Sequence, residues 1–452
     1  MAAMYQTHVM VAAGLCWDGP DRERPVGSDE TFREGLVHAA AGRLDQAAAC
    51  WAETLATEPS HAQARFNRLL ALTRLERLDE AADEALAGEH HHPDNPDFPG
   101  RRGQILARLG RLDEAVTSLH RSLTLADQPA LWWVLGLIER DRCRWEAASE
   151  ALGHVDSETE ARFELAQLAL RQGRWRQGWA LWESRLRRPQ AHEDRWTIPE
   201  WTGGDLPDLD LLVYGEQGVG DTLQMLRYVP ELTARGATVR LAVHDSLLRL
   251  LTGFPGVAQV LPLSHPDCPA THRVSIMSLP HRLPADDPWP ERVPYLHTRP
   301  ALLAEAGLKV GVVWAGSAAF ANAAQRHIGR SMLEPLRQIP GARLYSLQLD
   351  QSPDDPAIID LAPRIADWAD TAALVAGLDL LISVDTGTAH LAGALGRPLW
   401  LLLHQGCDWR WGLGDTTPWY PQARLYRQHA AGDWNGVMGR VAADLRALAG
   451  VA

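Results

Sequence analysis

The phrase Gly42-Arg43-Leu44-Asp45 returns as Arg77-Leu78-Asp79-Glu80 and again as Gly110-Arg111-Leu112-Asp113-Glu114. Degenerate copies follow at Arg144-Trp145-Glu146 and Gly173-Arg174-Trp175. The anchors Leu44, Leu78, Leu112, Trp145 and Trp175 stand 34, 34, 33 and 30 residues apart. Such a recurrence restricts the fold sharply, because each copy is one supersecondary unit that buries its apolar face only by stacking on the next. Three residues after every anchor comes a small residue: Ala47, Ala81, Ala115, Ala148 and Gly178. A second helix can approach a first one closely there, and Gly35, Gly103 and Gly136 supply the matching small position on the first helix of three units. Pro59 and Pro93 close two of the repeats, where a helix has to stop.

A period of 34 with paired helices is the tetratricopeptide signature. The expectation is an α-helical solenoid over residues 28–190, preceded by an N-terminal extension (1–27) and followed by a linker (191–204) that contains Trp196, Pro199 and Trp201. Such arms bind a polypeptide or the neighbouring domain. Asn67 and Asn95 are the array's only asparagines, which removes one familiar way of holding an extended peptide by its backbone. The run His90-His91-His92 reads as a solvated turn or as a metal-binding tract, the first being the commoner use of such a run.

After the linker the pattern changes to strands alternating with helices, which implies parallel sheets. Expected strands are Leu209 to Tyr214, Ala237 to Val243, one reaching Leu261, Val310 to Trp314, Arg343 to Leu347, Leu378 to Val384, and Leu399 to Leu403. They form two blocks, 205–300 and 308–448, so the fold class is α + α/β: a helical array, then two Rossmann-like lobes with a cleft between them. Ligands in such sheets bind at the carboxyl ends of the strands.

Bulk properties narrow the ligand. The formal charge of -13, from 57 acids against 44 bases, disfavours a nucleic-acid partner. Lys309 is the only lysine, so a cation that meets phosphate here has to be arginine. Five scattered cysteines without a C-x-x-C pattern argue against a zinc site or disulfide framework and fit a reducing compartment. No run approaches a membrane span, and His8 to Cys16 lacks the features of a secretory signal, so the expected location is the cytoplasm.

Chemistry concentrates at two glycine-bearing turns. In Ser383-Val384-Asp385-Thr386-Gly387-Thr388-Ala389-His390 a buried strand ends and a small-residue helix begins. Its free N–H groups and positive dipole end form an anion site, with hydroxyls from Thr386 and Thr388 and close backbone approach at Gly387. The competing reading is that Asp385 or Thr386 only caps the helix. His390 touches phosphate or packs the helix. In the first block, Glu216, Gln217, Gly218, Gly220 and Asp221 make a strand-to-helix turn. Asp221 suits a general base there, with Glu216 as the alternative base and an N-cap as the bland reading of Asp221. Gly316-Ser317 opens a loop that ends at Arg330-Ser331. Arg326 and Arg330 are phosphate-clamp candidates unless they are plain surface arginines, and Gln348 stands where a base or ribose would lie. Asp208-Leu209-Asp210 and Asp354-Asp355 are poor metal motifs, so no metal site is expected.

Residues 383–398 resemble the D-[ST]-G-x-x-H-L-A-G-A-L-G-x-P signature of family 9, heptosyltransferase-like glycosyltransferases. More closely, the chain resembles bacterial proteins that join tetratricopeptide repeats to such a domain. Gly215 to Arg227, Ser278-Leu279-Pro280, Val293 to Leu296, Val312 to Gly316, Asp408 to Trp411 and Trp419-Tyr420-Pro421 extend the resemblance over about 195–445. It implies a GT-B fold, a nucleotide-diphosphate sugar as co-substrate with no further cofactor, and inverting, metal-independent transfer. Asp221 matches the family's general base. In place of the N-D-R-like run of relatives stands Asn322-Ala323-Ala324-Gln325-Arg326, without the acidic position. Two functions follow. One is a glycosyltransferase whose arm recruits a protein or other large acceptor; the other is a non-catalytic scaffold with a degenerate nucleotide-sugar-binding domain.

Overall fold

The computed structural model describes residues 28–188, 196–264, 268–283, 293–303, 306–317 and 323–451. The extension 1–27, the whole 318–322 loop segment including Asn322, and residues 191–195 of the linker fall outside this set. Close packing divides the chain after Leu165, so residues up to Leu165 and from Ala166 form two units.

The repeats are helix pairs: Ser28–Ala40 with Leu44–Thr57, Ala62–Arg74 with Leu78–His91, Asp97–Arg108 with Leu112–Leu125, Pro129–Asp141 with Trp145–Gly153, and Thr159–Arg171 with Trp175–Trp182. Every sequence anchor is the first residue of a second helix. Two residues earlier the backbone is left-handed in all five pairs, with φ of 75° at Gly42, 59° at Glu76, 75° at Gly110, 58° at Cys143 and 75° at Gly173. A helix commonly ends on such a residue, which reverses the chain while satisfying the last carbonyls. The small positions work as expected. Ala47, Ala81 and Ala115 are buried, and a Cβ on Gly103 would lie 2.6 Å from Leu119, so the helices touch where side chains are smallest. One apolar cluster runs through the first four pairs, from Phe32 to Ala151.

The second unit begins inside the fifth pair, earlier than the boundary at 190 expected from the repeat phrase. The cause is aromatic. Trp179 meets Trp409 edge-on at 5.4 Å and Trp419 at 6.3 Å, while Trp182 meets Trp409 at 5.4 Å. These rings bury large areas in favourable edge-to-face geometry, so the helix Trp175–Trp182 packs with the α/β region.

Two parallel sheets follow. The first contains β1 (Asp210–Tyr214), β2 (Thr238–Val243), β3 (Val257–Pro262) and β4 (His272–Ser275), in the order β3-β2-β1-β4. The second contains β5 (Leu308–Val313), β6 (Ala342–Ser346), β7 (Ile358–Asp360), β8 (Leu380–Val384), β9 (Leu399–Leu403) and β10 (Ala423–Arg427), in the order β10-β9-β8-β5-β6-β7. Both are the Rossmann-like lobes expected, with three short strands, β4, β7 and β10, beyond the sequence reading. Chain direction across each sheet reverses at one place: between β1 and β4 in the first lobe, and between β5 and β8 in the second. A crevice opens at the carboxyl ends of the strands at such a switch point. The helix Trp434–Leu448 covers the second sheet, burying Val437, Met438, Val441 and Leu445 against it.

Candidate functional site

At the switch point of the second lobe, β5 runs into Trp314-Ala315-Gly316-Ser317 and β8 into Asp385-Thr386-Gly387. A Cβ on Gly316 would lie 2.9 Å from Arg326 Nη2 and 3.3 Å from Thr386 Cγ2. Arg326 also donates to the Ser317 carbonyl at 3.4 Å. Gly316, Ser317, Arg326 and Thr386 therefore share one crevice, as their motifs suggested. The hydroxyl of Thr386 accepts from the Ala389 amide at 3.4 Å and lies 3.0 Å from Ser383 Oγ, so this side chain caps the helix Gly387–Ala394. Thr388 is buried. The helix start still presents first-turn N–H groups that have no intrahelical acceptor. Burial, followed by the charge of Asp408, raises the Asp385 carboxyl to about 6.

The first lobe reaches this place through the helix Val219–Met225. A Cβ on Gly220 would lie 2.9 Å from His390 Cδ2 and 3.3 Å from Gly387 Cα. Only a glycine lets the two helix starts come so close. Asp221 follows Gly220 directly. Its Oδ2 accepts from the Gly218 amide at 2.9 Å, and its Oδ1 accepts from Arg410 of the second lobe. Burial pushes the Asp221 carboxyl up, against the pull of Arg410 and the Gly218 amide. Gln217 is exposed beside this turn.

Several expected ligands have other work. Arg185 holds Glu216 in a buried fork, Nε to Oε1 at 2.8 Å and Nη2 to Oε2 at 2.6 Å, and Ser275 Oγ donates to it as well. Arg330 binds Asp354 and the Ser352 carbonyl, with Ser331 exposed next to it. Gln348 turns its carbonyl oxygen to the amides of Trp314 and Ala315 at 3.3 and 3.0 Å, where it fixes the loop after β5 instead of a ligand. His390 lies 2.9 Å from the Tyr420 hydroxyl and stacks on Trp411. Burial brings its pKa down to about 3, so it packs as a neutral ring and offers no charge to a phosphate.

Sequence reasoning gave Arg410 no role, although Asp408-Trp409-Arg410-Trp411 already set a guanidinium between two indoles beside an acid. The structure puts it at the centre. Arg410 donates to Asp221, to Asp408 at 2.9 Å and to Gln224 at 2.8 Å, with its guanidinium 4.3 Å from the Trp409 ring centroid. Arg227 also escaped notice. It is buried among Tyr295, Trp419 and Tyr420 and donates to the Trp419 carbonyl at 2.9 Å.

Among the described residues, one group has metal-ligand spacing: Glu34, His38 and Cys50, with ligand atoms within 4.8 Å of one another. Arg43 donates to His38 Nδ1 at 2.9 Å, and burial followed by nearby carboxylates raises the Cys50 thiol, both unfavourable to a cation and its thiolate ligand.

Comparison with known families fits both regions. A tetratricopeptide repeat model matches residues 32–96. The model of glycosyltransferase family 9 (heptosyltransferase) matches residues 347–425, a span containing Asp385 to His390 and Asp408 to Trp411. The chain carries tetratricopeptide repeats and a glycosyltransferase family 9 domain. Protein FlbA of Caulobacter vibrioides is 28% identical over 446 residues, covering 86% of this chain and 74% of that protein. The crystal structure of YrrB, a TPR protein with an unusual peptide-binding site, is similar at 15% identity and TM-score 0.33, over 35% of this chain and 86% of that one. A crystal structure of MamA gives 14%, 0.32, 33% and 91% for the same quantities. A family 9 domain implies a nucleotide-sugar donor, and the two parallel sheets are consistent with GT-B lobes. Among the described residues no helix is long and apolar enough to cross a membrane.

Proposed function

We propose that the family 9 domain transfers a sugar from a nucleotide-diphosphate donor to an acceptor hydroxyl with inversion and without a metal. Residues 308–448 form the donor side, residues 205–300 the acceptor side, and the repeats over 28–190 recruit a protein acceptor. The supporting observation is the approach of the two lobes at Gly220, the residue before Asp221, and Gly387, the first residue of the helix Gly387–Ala394. A diphosphate at that helix start meets N–H groups, the dipole and Arg326, and these interactions strengthen as negative charge grows on the leaving group. Asp221 takes the proton of the acceptor hydroxyl as its oxygen bonds to the anomeric carbon. The bond from that carbon to the diphosphate breaks on the opposite face, and the nucleoside diphosphate leaves with the electron pair. Inversion follows from this single displacement.

The test is Asp221→Asn. Sugar transfer falls to background while nucleoside-diphosphate affinity, measured by calorimetry, stays within about threefold of wild type, because the carboxylate acts on the acceptor and not on the donor. Full transfer by that variant removes Asp221 as base.

A further inference from the structure

We propose that Arg410 is the positioning residue of this reaction: a guanidinium from the second lobe fixes the carboxylate of Asp221 in the first, so the base is assembled only when the lobes are closed. This rests on the proposed role of Asp221. The geometry is specific. Arg410 Nη2 donates to Asp221 Oδ1 at 2.5 Å, Nη1 donates to Asp408 Oδ1 at 2.9 Å, and Nε donates to Gln224 Oε1 at 2.8 Å. Gln224 sits on the same helix as Asp221, one turn further on. Arg410 therefore grips that helix at two points, while Asp408 and the Trp409 ring hold the guanidinium from its own side. Asp221 Oδ2 is fixed in turn by the Gly218 amide. With one oxygen on each partner, the carboxylate has a single orientation, and its remaining lone pairs point where those two bonds leave room.

A planar fork with donors on all three nitrogens suits this task, and a lysine cannot reproduce it. The groups around Asp221 set the direction of the pH effect. Burial, Asp408 and Glu216 push its carboxyl up; Arg410 and the Gly218 amide pull it down. His390, packed at Gly220, stays neutral. Loss of the guanidinium leaves Asp221 harder to ionise, so the acid limb of the rate profile moves to higher pH.

The experiment uses the full chain and a panel of UDP-, GDP-, ADP- and dTDP-linked sugars. Release of nucleoside diphosphate is followed with the panel member that most raises the melting temperature of wild type. In Arg410→Met, kcat falls about 100-fold with KM changed less than about threefold, since misplacing a reacting group by an ångström has that effect. The acid limb of kcat shifts upward. Arg410→Lys keeps the charge and loses the fork, so its limb stays near wild type while kcat falls about tenfold. Gln224→Met frees one of the two grips and lowers kcat in the same direction, and it serves if Arg410→Met does not fold. Wild-type kcat in Arg410→Lys and Gln224→Met overturns the proposal, as does an unshifted acid limb in a folded Arg410→Met. Those failures differ from failure of the base assignment, in which Asp221→Asn itself remains active.

Discussion

The two lobes share one construction rule and put it to opposite uses. Each has a crevice where the strand order reverses. In the first lobe, between β1 and β4, the crevice is closed by the protein itself: Arg185 forks onto Glu216 and donates to Ser278 at 2.8 Å, and all three side chains are buried. In the second lobe, between β5 and β8, the corresponding place is lined by Gly316, Arg326, Thr386 and the helix start at Gly387. The same topology brings glycine backbone, an arginine and a helix start together at one switch point and buries a structural ion pair at the other, and the side chains at the strand ends decide which. Glu216 and Asp221 lie five residues apart on one turn and fall on either side of that divide.

The largest expected effect tests the closed crevice. Arg185→Met leaves the Glu216 carboxylate buried without its cation, and such losses cost about 3–5 kcal/mol. Denaturant unfolding is expected to show that loss, and Arg185→Met with Glu216→Leu is expected to recover most of it. A single variant as stable as wild type would mean that the first crevice is not locked by this pair.

The proposed ligand role of the second crevice is tested by two arginines of contrasting geometry. Arg326→Ala removes a charge-assisted contact worth about 1.5–3 kcal/mol and weakens nucleoside-diphosphate binding about tenfold or more, with little effect on the nucleoside. Arg330→Ala leaves both affinities nearly unchanged, because Arg330 is engaged by Asp354. Calorimetry with both ligands and both variants separates the cases, and equal losses from the two would erase the distinction.

A smaller effect comes from Asp385. With its carboxyl raised to about 6, first by burial and then by Asp408, it is largely ionised at pH 7 and largely neutral at pH 5. An ionised Asp385 repels a diphosphate at the helix start, so binding tightens as pH falls through this window. The diphosphate titrates nearby, so the signal is the difference between wild type and Asp385→Asn, roughly threefold between pH 5 and 7. Parallel pH profiles would place Asp385 away from the ligand.

The smallest change is expected at Arg249, which pairs with Asp367 and Asp370 across the two lobes but is 56% exposed. Against the buried Arg185 pair it shows what solvent removes: Arg249→Ala is expected to leave the unfolding midpoint indistinguishable from wild type in the same experiment, because water and salt screen an exposed pair.

The sequence revealed what depends on local spacing. The five anchors could be read because each repeat restates the same helix start, and the glycines of Gly42, Gly110 and Gly173 already marked the left-handed turn before it. Glu76 and Cys143 adopt that conformation with no such mark. β7 has three residues and β4 four, too few to display a period, and arginine at the second and last positions of Ala423–Arg427 obscured β10. The fifth pair's attachment to the α/β unit was hidden because its tryptophans meet partners more than 200 residues away. The placement of Gly316, Asp385 and Gly387 just past strand ends was legible, since each follows an apolar run. The occupations of Glu216, Gln348 and His390 were not, because their partners Arg185, Ala315 and Tyr420 lie 31, 33 and 30 residues away in sequence.

The most direct test of a ligand-binding second crevice is a melting-temperature screen of UDP, GDP, ADP and dTDP against wild type and Gly387→Val. A ligand that binds only the folded state raises its melting point. One of these diphosphates is expected to stabilise wild type by several degrees and to leave Gly387→Val, whose side chain crowds the helix start, unshifted. No shift with any of the four, or the same shift in both proteins, would contradict it.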